Sequence, residues 1–86
     1  MKISVELTLT PLSDNFEPPI IDFIKSLRAS DFKVLENPLS TQIYGDYDEL
    51  MPFLNDKVRS SFEALDHVVL TMKIVKSDRS DYEPDF

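Results

Sequence analysis

The chain has 86 residues, enough for one domain with a single core and too few for two. The absence of cysteine excludes a disulfide framework, thiol catalysis and any thiolate metal site. Sixteen Asp and Glu against nine Lys and Arg give a net charge of −7, which argues against nucleic acid as a partner, because phosphate binding needs a concentrated basic surface. The same charge suits a cationic small molecule, and also plain solubility.

Residues Lys2 to Thr10 alternate, with Ile3, Val5, Leu7 and Leu9 on one side and Ser4, Glu6, Thr8 and Thr10 on the other. That is the period of a half-buried strand. It is not the continuous apolar block of a signal peptide, and no later stretch has a membrane-spanning length. A soluble cytoplasmic protein without membrane contact is therefore expected. Pro11 closes the strand, and Ser13 to Pro19 reads as a polar connection able to fold over a ligand.

A helix is expected from about Pro18 to near Ser30. Proline is tolerated in a first turn, and Ile20, Phe23, Ile24 and Leu27 recur at helical spacing. Phe32 to Glu36 and Leu39 to Gly45 read as a hairpin around the Asn37-Pro38 turn. Gly45 is the only glycine, placed where the returning strand meets the next helix, which points to a positive φ or a close backbone approach. Asp46, with Glu49 three residues on, has the spacing of a capping box opening that helix.

The second helix, from about Tyr47 to Leu65, sets Leu50, Phe53, Leu54, Val58, Phe62 and Leu65 along one stripe. Pro52 lies inside it and predicts a bend or a loose start. Val68 to Val75 alternates again, with Val68, Leu70, Met72 and Ile74 expected toward the core. The domain is expected to span 1–76. The remaining residues, 77–86, are charged and poor in apolar side chains, an acidic and flexible tail in which Tyr82 and Phe86 offer anchors for a neighbouring subunit. Apart from those anchors, the tail is not expected to touch the strand face.

The order βαββαβ packs as a four-stranded antiparallel sheet with both helices on one face, an α+β ferredoxin-like fold. Right-handed crossovers leave the first and third strands central. The uncovered face then carries Ser4, Glu6, Thr8, Gln42, Tyr44, Thr71 and Lys73, which must meet water, a ligand or another subunit. Ser40, Gln42 and Tyr44 fall beside Glu6 and Thr8. An aromatic ring with a few fixed donors and acceptors suits an aminopyrimidine, and equally an ordinary solvated or dimer-packing face.

Lys73 is expected to pair with Glu6 across neighbouring strands. Asp46, Asp48 and Glu49 are explained by the helix start, and close spacing alone builds no metal cage there or among Asp78, Asp81, Glu83 and Asp85. His67 has no Ser or Cys partner that would make it a catalytic base, so it reads as structural. No catalytic constellation is visible and no cofactor is implied.

The strand ending in TPL, the block NPLSTQIYGDYDELM and the closing VVLTMKIVKSDR together resemble the YkoF-like family that binds thiamine and hydroxymethylpyrimidine. The likeness runs through Arg79, and its most specific part is Ser40, Thr41, Gly45, Asp46 and Asp48. It implies a ferredoxin-like domain that binds thiamine or its pyrimidine moiety without turnover, and so favours the ligand reading of the face formed by Glu6, Thr8, Ser40, Gln42 and Tyr44. It also implies association through open sheet faces as a homodimer or homotetramer. Pro52 and the tail from Ser80 depart from the family pattern. The alternative is a ferredoxin-like module whose sheet face only pairs subunits or partner proteins.

Overall fold

The computed structural model describes residues 1–85. Strand β1 runs Lys2–Pro11, helix α1 Glu17–Arg28, β2 Lys33–Glu36, β3 Thr41–Asp46, helix α2 Tyr47–Ala64 and β4 Val68–Val75. The sheet order is β2-β3-β1-β4 and every pairing is antiparallel. The expected ferredoxin-like α+β fold is thus the one the chain adopts, with the first and third strands central.

Alternation places the core. Ile3, Val5 and Leu7 of β1 and Ile43 of β3 are at most 2% exposed, on the face that Phe23 and Leu27 of α1 and Leu50 and Leu54 of α2 cover. Each fully buried aliphatic side chain contributes about 1.5–3 kcal/mol relative to exposure, so these positions dominate the fold. The fork of Arg28 on the carboxylate of Glu36 ties the end of α1 to β2, and that hydrogen-bonded guanidinium holds the Glu36 carboxyl below its ordinary range.

Gly45 has no positive φ, so the reason for glycine is the close approach. A Cβ built there would lie 2.6 Å from Cδ1 of Phe32, whose ring packs on Phe53 with centroids 5.3 Å apart. Strand β2 begins at Lys33, one residue after the expected Phe32, whose ring packs against the core. Asp46 caps α2, its carboxylate accepting from the backbone N–H of Asp48 and facing the Met1 amine at 3.3 Å. The helix starts firmly on this cap and continues through Pro52, which sits on its exposed side; proline deletes a single donor there without ending the helix.

Two expectations about the core need correction. Met72 and Ile74 share the helix-facing side of the sheet with their register partners Leu7 and Val5, yet they are 41% and 43% exposed. Strand β4 is an edge, and the helices do not reach over its far half. Phe62 is likewise 47% exposed, because it lies near the C-terminal end of α2 where the buried residues Leu50 and Leu54 have already been passed.

Candidate functional site

Because both helices lie on one face, the other face of the sheet is floored by the alternate residues of the same strands. The register arranges them in rows across the strands. One row reads Val75, Ser4, Tyr44, Lys33; the next reads Lys73, Glu6, Gln42, Leu35. Thr8 follows, opposite Thr71.

The second row holds a chain of hydrogen bonds. Nδ2 of Asn37 donates to Oε1 of Gln42 at 3.4 Å, Nε2 of Gln42 donates to Oγ of Ser40 at 2.5 Å, and Ser40 donates to Oε2 of Glu6 at 3.0 Å. The turn fixes its origin, since Oδ1 of Asn37 accepts from the backbone N–H groups of Leu39 and Ser40. Ser40 therefore belongs to the turn before β3 and not to the strand. Glu6 takes this bond from Ser40, and no ion pair joins it to Lys73 among the described residues although the two are register partners.

Tyr44 stands one row away. Burial pushes its phenol pKa up, Lys33 opposes that, and Asp78 and Glu6 add to it. The source of Asp78 is the segment after β4, which does touch the strand face. The Ser4 hydroxyl donates to the carbonyl of Ser77 at 2.7 Å and accepts from the N–H of Arg79 at 2.8 Å, and Nζ of Lys33 lies 3.1 Å from Asp81. Tyr82 is 65% exposed on the described chain, while Phe86 lies outside the described residues.

The structure thus joins Glu6, Ser40 and Gln42 in one network, sets Tyr44 beside them, and leaves the Thr8 hydroxyl outside the network. Thr8 and Ser40 instead line a cavity of about 250 Å³ between the end of β1, α1 and the hairpin turn, where Leu39 is 86% exposed. A larger cavity, about 610 Å³, opens between α1 and the C-terminal half of α2 past Asp22, Ser26, Lys57 and Ser60; it contains none of Glu6, Thr8, Ser40, Gln42 and Tyr44, but Ser13, Asn15, Pro18 and Pro19 of the connection expected to fold over a ligand line it. The open face is the stronger candidate because its polar groups are hydrogen-bonded to one another, whereas in the helix groove Ser26 donates to the carbonyl of Phe23, Lys57 lies over the Phe53 ring, and no hydrogen bond joins the groove's polar side chains to one another among the described residues.

Sequence reasoning missed Asn37 as the head of the relay; its only signal was the Asn-Pro turn. Lys33 and residues 77–81 were missed as well, and nothing in their pattern predicts where they cross. Among the described residues no group of three or more His, Asp and Glu side chains is placed to hold a metal, and no helix is long and apolar enough to cross a membrane.

The chain is an α+β domain of ferredoxin-like topology, and several solved structures share that fold. The protein SP2199 of Streptococcus pneumoniae is similar at 25% identity, covering 94% of this chain and 92% of its own with a TM-score of 0.84. A Thermotoga maritima protein provisionally assigned to thiamine biosynthesis or salvage shares the fold at 19% identity, with 90% and 85% covered and a TM-score of 0.81. The hypothetical protein MJ1052 of Methanocaldococcus jannascii is similar at 25% identity, with 95% and 84% covered and a TM-score of 0.75. No curated protein sequence matches the chain. The model of the thiamine-binding protein family matches residues 5–85, and the chain belongs to that family. The resemblance read from NPLSTQIYGDYDELM was to the same group.

Proposed function

We propose that this chain is a non-catalytic binding protein for thiamine or its hydroxymethylpyrimidine moiety, held on the open sheet face at or near an interface between copies of the chain. The observation that carries this reading is the Asn37, Gln42, Ser40 and Glu6 relay lying beside Tyr44 on a face no helix covers, in a member of the thiamine-binding protein family.

The chemistry follows from the parts. The Tyr44 ring offers a stacking surface for a planar heterocycle. Glu6, already oriented by Ser40, accepts from an exocyclic amine or balances a thiazolium charge, and a charge-assisted bond of that kind is stronger than a neutral one. Gln42 presents both an acceptor and a donor to ring nitrogens and hydroxyls. Thr8 lines the neighbouring hollow that takes the remainder of the ligand. The net charge of −7 draws a cation to the surface. A homodimer or homotetramer that pairs open faces would enclose the ligand, and the chain would work in the cytoplasm without membrane or nucleic acid partners.

The exposed Val69, on the open side of edge strand β4, favours a second reading in which the face only pairs subunits. One experiment separates the two. Calorimetric titration with thiamine and then with free hydroxymethylpyrimidine should give saturable binding, weakened by about tenfold or more in Tyr44→Ala, the loss of one stacking contact. Wild-type protein that takes up neither ligand at two temperatures, while Tyr44→Ala changes its sedimentation, would favour the pairing module.

A further inference from the structure

The segment after β4 does not leave the domain. Ser77 N–H donates back to the carbonyl of Val75, turning the chain, and the next residues run from β1 to the β2 edge of the sheet. Ser4, only 8% exposed, binds this segment twice with one hydroxyl, to the carbonyl of Ser77 and the N–H of Arg79. Asp81 then meets Lys33 at the opposite edge. Ser4, Tyr44 and Lys33 are consecutive partners across β1, β3 and β2. A segment anchored on the first and the third of these passes over the second. The electrostatic environment of Tyr44 agrees, since Asp78 and Lys33 both act on its phenol.

We propose that residues 77–81 are a strap that covers Tyr44 in the free subunit and is displaced when the sheet face takes its ligand, so that strap and ligand compete for one row of the sheet. This rests on the thiamine-binding reading above and adds the regulation of that site. Competition, not closure over a bound ligand, follows from the contacts: bonds of 2.7 and 2.8 Å from the strap backbone to the floor residue Ser4 leave no layer for a planar ring between them.

The strap is also built to open. Its far anchor is an ion pair whose side chains are 49% and 91% exposed, weak by geometry and screened by salt. The hydroxyl of Ser77 is buried without a hydrogen-bond partner among the described residues, an unmet donor and acceptor that opening would return to water. Release frees the Ser4 hydroxyl beside Tyr44, a further group for the ligand to use.

The test keeps the full chain and loosens the strap from its own side. Arg79→Pro removes the N–H that Ser4 accepts, and Asp81→Lys sets like charges at the far anchor; neither changes a residue of the sheet floor or the core. Nitration of tyrosine by tetranitromethane, resolved by peptide mass mapping, reads Tyr44 against Tyr47, which is 40% exposed and serves as internal reference. The double variant should nitrate Tyr44 about threefold faster relative to Tyr47 and bind thiamine about three- to tenfold more tightly, as expected when a mostly closed state is opened. An unchanged Tyr44 rate would overturn the strap. A faster Tyr44 rate with unchanged or weaker thiamine binding would overturn the competition. If neither protein binds thiamine while Tyr44 is still unmasked, the thiamine reading fails and the cover over Tyr44 stands on the nitration result.

Discussion

The two faces of the sheet are made by the same strands, and they solve different problems. On the covered face, Val5 and Leu7 of β1 and Ile43 of β3 are dry and meet the helices through nonspecific apolar contact. On the open face, Ser4, Glu6 and Gln42 from the same two strands are joined by directional hydrogen bonds, several of them to a turn or to the chain after β4. Burial on one side is large in energy and has no alternative partner. Hydrogen bonds on the other side are each worth about 0.5–1.5 kcal/mol net and can be exchanged for bonds to water or a ligand. The covered face sets whether the chain folds, and the open face is free to change partners.

The largest expected effect breaks the covered face. Leu50 is wholly buried at the start of α2, so Leu50→Ala should lower the unfolding free energy by about 3 kcal/mol, the sum of lost transfer and an unfilled cavity, measured by urea denaturation. That is a large share of the total for a domain of this size. Gly45→Ala comes next. Its Cβ would meet the ring of Phe32 at 2.6 Å, and that ring is wedged against Phe53, so a cost of about 1–3 kcal/mol is expected from overpacking. The pairing gives a sharper check: in a Phe32→Leu background the same substitution should cost less, because the smaller side chain yields. Equal costs in both backgrounds would show that another contact requires glycine.

The contrast between the faces also explains what was readable from the residues. Alternation in Lys2 to Thr10, Leu39 to Gly45 and Val68 to Val75 assigns each side chain to a side of the sheet, and with both helices expected on one face it assigned Glu6, Gln42 and Tyr44 to the open one. Alternation does not say how far a helix reaches, which is why Met72 and Ile74 looked like core and are half exposed. The lone glycine announced a backbone requirement but not which one; the Phe32 ring, thirteen residues earlier, decides it. The polar relay was legible as membership of a face, but its head, Asn37, was hidden in a turn signal. Residues 77–81 have no apolar period at all, so a segment that crosses three strands had the composition of a loose tail. Its position depends on one buried serine hydroxyl and one exposed ion pair, Lys33 with Asp81.

The start of α2 belongs to neither face and supplies a smaller effect that depends on pH. The N–H of Asp48 and the Met1 amine hold the Asp46 carboxyl below its ordinary range. A carboxyl whose pKa is lower folded than unfolded stabilises the fold fully above its unfolded value and loses that contribution as pH falls through the folded one. Wild type should therefore melt above Asp46→Ala at neutral pH, with the gap closing below about pH 4, where the unfolded carboxyl takes up its proton. A gap that persists unchanged into acid would mean that the substitution acts through backbone propensity and not through the carboxylate.

Ser40→Ala should have the smallest effect on stability and one of the clearer effects on binding. Its hydroxyl receives a bond from Gln42 and gives one to Glu6, but both partners lie on the open face and regain water when it is removed. The unfolding free energy should change by no more than about 1 kcal/mol. Thiamine affinity should fall by about tenfold, because Glu6 loses the donor that fixes its carboxylate and must be ordered by the ligand itself. The comparison with Leu50→Ala then becomes quantitative: one substitution moves stability at intact affinity per folded molecule, the other moves affinity at intact stability. If Ser40→Ala instead lowers stability as much as a core truncation, the relay is part of what holds the sheet together, and the division between the two faces fails.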